Sequence, residues 1–250
     1  IENHVASGTA GIVPCGTTGE SATLTHEEHK RVIELTVKIA GGRIPVIAGS
    51  GSNSTEEAVS LTLHAKSAGA DAALLITPYY NKPTQEGLYQ HYKKIAEAVN
   101  LPLVLYNIPG RTGVNMLPET VRRLLPFKNI VGIKEGSGSI QQVAELIHLC
   151  GERLTVISGD DAITLPMMVL GAKGVISVTA NIVPGDMAKM IDAAAQGDML
   201  AAKVWHDRLY PLHNALFLET NPIPVKAALA LMGKCRDEVR LPLVPLSGPN

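Results

Sequence analysis

A chain of 250 residues, 46% apolar and only 4% aromatic, can build one large α/β domain or two small ones around an aliphatic core, and this composition excludes a disordered chain. Its 22 basic and 23 acidic side chains leave a net charge of −1, which gives no electrostatic footprint for nucleic acid or an anionic membrane. Three cysteines (Cys15, Cys150 and Cys235) are odd in number and lack metal-ligand spacing, so a reducing cytoplasm is expected rather than a disulfide framework, and no apolar run reaches transmembrane length.

The opening I-E-N-H-V-A-S-G is not a signal peptide and reads as the tail of a helix stopped by Gly8, so the chain is expected to begin inside an element. Short β-branched runs then alternate with helical stretches. They are G-I-V-P-C-G at 11, I-P-V-I-A-G at 44, A-A-L-L-I-T-P at 72, L-P-L-V-L-Y-N at 101, N-I-V-G-I-K-E at 129, L-T-V-I-S-G at 154 and K-G-V-I-S-V-T at 173. Several are apolar on both faces, as parallel strands covered by helices are. Thr25 with Glu28 and Ser54 with Glu57 fit capping boxes, and Pro118 suits a first helical turn. No linker or low-complexity segment interrupts the alternation. A closed (β/α)8 TIM barrel explains seven successive units better than a doubly wound sheet, with its first strand falling upstream of Ile1. Stretches near 185–196, 198–218 and 223–233 exceed the one helix the barrel still needs. The expectation is a barrel over residues 1–197, lacking its first strand, and a C-terminal helical region over 198–250.

In such barrels the chemistry lies at the C-terminal ends of the strands. Polar clusters gather there: G-T-T-G-E at 16, T-P-Y-Y-N at 77, Y-N-I-P-G-R-T at 106, K-E at 134, S-G-D-D at 158 and S-V-T-A-N at 177. Strand alternation puts Ile130, Gly132 and Lys134 on one face, with Gly132 leaving space below the lysine. Burial would lower the amine's pKa, as a Schiff-base lysine requires; the bland alternative is a strand-end lysine paired with Glu135. Tyr106 ends the adjacent run and could shuttle protons, or be a rim tyrosine with a satisfied hydroxyl. G-T-T-G-E lacks the lysine of a P-loop, but its turn could aim backbone N–H groups and the Thr17 and Thr18 hydroxyls at a small carboxylate; an ordinary strand-to-helix turn is the alternative. Arg111 could clamp a carboxylate or simply be solvated. H-E-E-H at 26–29 has i,i+3 spacing rather than a metalloprotease motif, so no metal is expected, and Cys15 reads as a small buried thiol rather than a nucleophile.

Together G-T-T-G-E-S, T-P-Y-Y-N-K-P, Y-N-I-P-G-R-T, G-I-K-E, S-G-D-D and N-P-I-P-V-K make essentially the whole chain resemble the 4-hydroxy-tetrahydrodipicolinate synthase (dihydrodipicolinate synthase) family. The resemblance implies a (β/α)8 barrel with a helical C-terminal part, assembled as a homotetramer, a dimer of dimers. The first strand and the end of the last helix would lie outside the chain. It implies that Lys134 forms a Schiff base with pyruvate and that Tyr106 is the acid–base residue. Thr17 would link Tyr106 to Tyr80, which reaches into a neighbouring subunit. Thr18 would hold the pyruvate carboxylate and Arg111 that of aspartate semialdehyde, with Gly159 and Ile176 lining the pocket. The product would belong to the diaminopimelate route to lysine, and no metal or organic cofactor is implied. Ser21, Ala22, His26, His29, Asn53, Glu57 and Tyr79 match an effector site for inhibitory lysine, with Glu57 meeting the α-amine. Gly136 stands where the family often has alanine. Two readings compete: another pyruvate-dependent aldolase such as N-acetylneuraminate lyase or a keto-deoxy sugar acid aldolase, which usually lacks Arg111, and a non-catalytic barrel binding a small ligand.

Overall fold

In the computed structural model, which describes residues 1–248, five parallel strands stand side by side in chain order. They are β1 (Ile47–Gly49), β2 (Ala72–Ile76), β3 (Leu103–Asn107), β4 (Ile130–Glu135) and β5 (Thr155–Ser158). Isolated parallel bridges extend both edges, Ile12 to Val46 and Ser158 to Val175. All seven expected runs therefore lie in the wall, but the first and last are bridges rather than strands. Pro14, which has no N–H to donate, and Cys15 at φ 55° stop the first, and Gly174 at φ 153° breaks the last.

The helices are α1 (Glu2–Ala6), α2 (His26–Ala40), α3 (Thr55–Ser67), α4 (Gln85–Ala98), α5 (Pro109–Thr112), α6 (Pro118–Leu124), α7 (Ile140–Cys150), α8 (Thr164–Leu170), α9 (Pro184–Ala195), α10 (Met199–Ala215) and α11 (Ile223–Leu231). Among the described residues, no helix is long and apolar enough to cross a membrane. Residues 249–250 of the expected C-terminal region lie outside the described residues.

The start signals act as sequence rules dictate at α2, where the Thr25 hydroxyl accepts from Glu28 N and the Glu28 carboxylate accepts from Thr25 N. At α3 only half of the box forms. Ser54 accepts from Glu57 N, but the Glu57 carboxylate turns to His26 and Ser52 instead. Pro118 opens α6, where its missing N–H costs no hydrogen bond.

Two apolar layers sandwich the strands. Ala73, Leu75, Leu103, Leu105 and Ile133 pack with Leu88, Tyr92 and Ile95 of α4 and Val143 and Leu146 of α7. On the other face Leu74, Val104 and Tyr106 pack with Ile47, Ile76 and Ile176. Simple alternation along β4 fails at one point. Leu103 pairs with Ile130 but Val104 pairs with Gly132, so Val131 is an inserted residue. Ile130 consequently joins Ile133 on the helix side, and only Gly132 and Lys134 share the opposite face. Gly132 does not leave a void beneath the lysine either. A Cβ there would meet Thr155 O at 3.0 Å, so the glycine permits the close approach of β5.

The C-terminal stretch returns to the start of the chain. Lys226 reaches Glu20 at 2.8 Å, and Glu20 also accepts from Arg240 N at 2.8 Å. The Arg240 guanidinium grips both oxygens of Glu28 at 2.6 and 2.8 Å. That grip, with the Thr25 bond, holds the Glu28 carboxyl down at about 2.

Candidate active site

The register of β3 and β4 puts Tyr106 beside Lys134 and Asn107 beside Glu135. Because side chains alternate, the first pair faces one way and the second the other. The Lys134 ammonium lies over the Tyr106 ring, 4.2 Å from its centroid. Burial depresses the amine to about 8; the Asp161 carboxylate pulls it back up and Arg111 pushes it further down. At neutral pH about one such amine in ten is uncharged, against fewer than about one in a thousand for an ordinary lysine.

Glu135 is not the partner of Lys134. It is 1% exposed and accepts from Asn107 Nδ2 at 3.0 Å, Gln142 Nε2 at 3.1 Å and Ser137 N at 2.6 Å. Tyr106 is buried, which raises its phenol, while the Thr17 hydroxyl and the Arg111 charge oppose the rise. Strand ends thus bring Lys134, Tyr106 and Thr17 together.

In the G-T-T-G-E turn, Gly19 N donates to Gly16 O, Glu20 N to Thr17 O and Ser21 N to Gly16 O. These three N–H groups are spent inside the turn, as in an ordinary strand-to-helix turn, the alternative reading of this segment. Thr17 and Thr18 remain as its donors. The Thr18 hydroxyl accepts from Asn221 Nδ2 at 3.0 Å, and Arg111 donates to Asn221 O at 3.0 Å. One buried asparagine therefore ties together the two groups read as carboxylate binders. The sequence contained it, within N-P-I-P-V-K, but no local spacing indicates a contact across 203 positions.

Gly159 presses on the lysine. Its N–H donates to Glu135 O at 2.7 Å, and a Cβ there would sit 3.2 Å from Lys134 Cε. Ile176 donates its N–H to Ser158 O at 3.0 Å and packs in the cluster that contains Tyr106. At Gly136 a Cβ would come within 3.2 Å of Asn107 O, so the absence of a side chain relieves a tight strand contact. Tyr80 is not brought to Thr17 within this chain: its side chain is 90% exposed on a backbone at φ 72°.

Most of the second cluster lies together at the start of α2 and α3. His26 Nε2 meets Glu57 Oε1 at 2.7 Å, and the other Glu57 oxygen takes the Ser52 hydroxyl. Asn53 Nδ2 donates to Tyr79 O at 3.1 Å. Burial raises the Tyr79 phenol, the Glu57 charge adds to the rise, and Ser52 opposes it. His29 is buried and burial lowers its pKa, while Ser21 and Ala22 form a 3-10 turn just ahead of α2. Ser52 is the member that sequence reading missed. Cys15 is buried, its thiol pushed up to about 12 and directed at His29 O, which makes it inert as a nucleophile.

A parallel-stranded α/β barrel with a partly deprotonated lysine at the end of one strand and a buried tyrosine beside it defines a class of barrel enzymes built around an amine. The chain belongs to the dihydrodipicolinate synthetase family, whose model matches residues 1–249. It is 62% identical over 250 residues to 4-hydroxy-tetrahydrodipicolinate synthase of Geotalea uraniireducens, spanning 100% of this chain and 86% of that protein. Among solved structures it is similar to the Acinetobacter baumannii dihydrodipicolinate synthase complexed with pyruvate. That match has a TM-score of 0.98 and 54% identity, and covers 99% of this chain and 85% of the other. It is also similar to the Cyanidioschyzon merolae enzyme with lysine bound, with a TM-score of 0.95 and 42% identity over 99% and 84% of the two chains.

Proposed function

We propose that this chain condenses pyruvate with L-aspartate 4-semialdehyde to give 4-hydroxy-tetrahydrodipicolinate, in the diaminopimelate route of lysine biosynthesis. The observation that carries the mechanism is the Lys134 amine, held at about 8 and set over Tyr106. The neutral amine adds to the pyruvate ketone, and with a proton from the Tyr106 phenol, water leaves and a protonated imine forms. That cation acidifies the pyruvate methyl group, the Tyr106 oxygen takes up its proton, and the resulting neutral enamine attacks the semialdehyde carbonyl through its carbon. The new hydroxyl takes a proton from Tyr106, which Thr17 relays. The amine of the semialdehyde then displaces Lys134 from the imine, which closes the ring and frees the enzyme.

In this reading Thr18 binds the pyruvate carboxylate and Arg111 the semialdehyde carboxylate, and Gly159 and Ile176 line the pocket. Support for the acceptor comes from Arg111, which the sugar-cleaving relatives usually lack. We assign Tyr80 to a neighbouring subunit's site in a homotetramer, because an exposed phenol on a left-handed backbone suits a partner better than solvent. We assign inhibitory lysine to the cluster of Ser21, Ala22, His26, His29, Asn53, Glu57 and Tyr79, with Glu57 on its α-amine; the relative solved with lysine bound supports this. Residues 198–248 serve as an extension to the barrel, helical over Met199–Ala215 and Ile223–Leu231 and irregular beyond, and the enzyme works in the cytoplasm.

The test is reductive trapping. Pyruvate with borohydride should label Lys134 and nothing else, as read by peptide mass spectrometry, and Lys134→Ala should take no label. Labelling of a different residue, or none, refutes the mechanism.

A further inference from the structure

Lys134 has a charged neighbour that the mechanism above leaves unused. β5 lies beside β4 with Ile157 opposite Lys134 and Ser158 opposite Glu135. The turn that follows is tightly fixed. The Ser158 hydroxyl donates to Asp160 O at 2.8 Å, Asp160 accepts from Ala162 N at 2.9 Å, and the Thr164 hydroxyl donates to Asp160 O at 2.7 Å. Gly159 at the head of this turn is the residue that abuts Lys134 Cε. Two positions further on, the turn buries Asp161 to 2% exposure.

A buried carboxylate is costly unless every oxygen is compensated. Asp161 Oδ2 is well served, accepting from Val178 N at 2.9 Å and Thr179 N at 3.0 Å. Among the described residues Oδ1 has no hydrogen-bond partner. His213 of α10 is also 2% exposed and bonds the Thr179 hydroxyl at 2.8 Å through Nδ1. Burial lowers its pKa, Asp161 and Asp160 oppose that, and His206 adds to it. Nε2 of His213, like Asp161 Oδ1, has no hydrogen-bond partner among the described residues. The groups acting on the amine are Tyr106 from β3, Arg111 from α5 and Asp161 from the turn after β5; of these, Asp161 alone is anionic.

We infer that Asp161 is a positioning residue for the proposed reaction: its half-satisfied buried carboxylate is the counter-charge for the cationic imine on Lys134, held at its back by Val178 N and Thr179 N. This inference rests on the Schiff-base reading. A protonated imine is cationic until it relaxes to the neutral enamine, and it stands beside the positive guanidinium of Arg111. A fixed anion that stabilises that cation raises the occupancy of the imine; the same anion raises the amine's pKa and so reduces the share of free amine.

The two effects have opposite signs, which makes the test specific. Asp161→Asn keeps the shape, and its carbonyl oxygen can still accept from Val178 and Thr179. Initial rates of pyruvate trapping by cyanoborohydride are measured against pH, together with the pyruvate concentration giving half-maximal imine. In Asp161→Asn the pH midpoint should fall by about one unit and the pyruvate requirement rise about ten-fold. Asp161→Glu, which keeps the charge, should hold the wild-type midpoint, and Asp161→Ser, which is neutral and smaller, should show the same fall as Asp161→Asn and takes its place if the Asn variant does not fold. His213→Gln, which alters the partner of the Thr179 hydroxyl and leaves both N–H donors of Asp161 in place, should leave the midpoint unchanged. An unchanged midpoint in Asp161→Asn, or a Glu variant whose midpoint drops as the Asn variant's does, overturns the inference while leaving the Schiff base intact. Absence of trapping in the wild-type protein overturns both.

Discussion

Replacing Glu135 by glutamine should destabilise the protein by about 3 kcal/mol without removing any atom from its core. The carboxylate accepts three hydrogen bonds, Oε2 from Asn107 and Gln142 and Oε1 from Ser137 N. A glutamine must turn its NH2 towards at least one donor, which loses one charge-assisted bond worth about 1.5–3 kcal/mol and weakens the other two to neutral strength. Amide flips cannot absorb the change. Met116 N donates to Asn107 Oδ1 at 2.9 Å and pins that side chain, so its Nδ2 must remain a donor to both Glu135 and Asn115 Oδ1. Asn115 Nδ2 in turn donates to Gln142 Oε1 at 2.8 Å, so turning Gln142 over sets two donors face to face. The assay is urea unfolding at one fixed protein concentration, where the midpoint should fall with the slope unchanged, and the melting temperature should drop by about 6–12 °C. A variant within about 0.5 kcal/mol of wild type would refute this account of the network.

Arg111→Ala should impair use of aspartate semialdehyde far more than imine formation with pyruvate; equal losses in coupled turnover and in trapping would count against its role. Asn221→Ala removes the amide on the Thr18 hydroxyl, so its KM for pyruvate should rise about ten-fold, a loss of the size expected for one buried hydrogen bond and its orphaned partner. Saturating L-lysine should slow the wild-type protein but not Glu57→Ala, as measured by initial rates; equal inhibition of both would move the effector elsewhere. Below pH 8 the trapping rate should fall about ten-fold per pH unit, because the reactive form is the unprotonated amine and its pKa is about 8. A rate flat from pH 6 to 8 would mean that another group supplies the nucleophile.

What the residues disclosed by themselves was whatever depends on near neighbours. The β-branched runs mark the strands, Thr25 and Glu28 mark the start of α2, and the order of polar strand ends marks the mouth. Lys134 and Tyr106 were legible because adjacent parallel strands carry their last inward residues to the same height. What escaped depends on contacts between distant segments. The inserted Val131 is invisible in N-I-V-G-I-K-E, since the partner strand decides which residue is left unpaired. Glu57 looks like the second half of a capping box, yet His26, 31 positions away, offers its carboxylate a better partner. Asn221 and His213 come from the helical region and reach Thr18 and Thr179 only after the chain has folded back.

The Arg240 guanidinium fastens the segment after α11 to the very carboxylate that seals the first turn of α2. Slackening near Arg240 is thereby transmitted across 212 positions to the entrance of a helix whose opening residue, His26, pairs with Glu57 in the cluster proposed for lysine. Cutting that fastening with Arg240→Ala would leave the strands as slow to exchange their amide hydrogens as before, and would quicken exchange at Glu28, a distant leash thus setting how firmly the start of α2 is held.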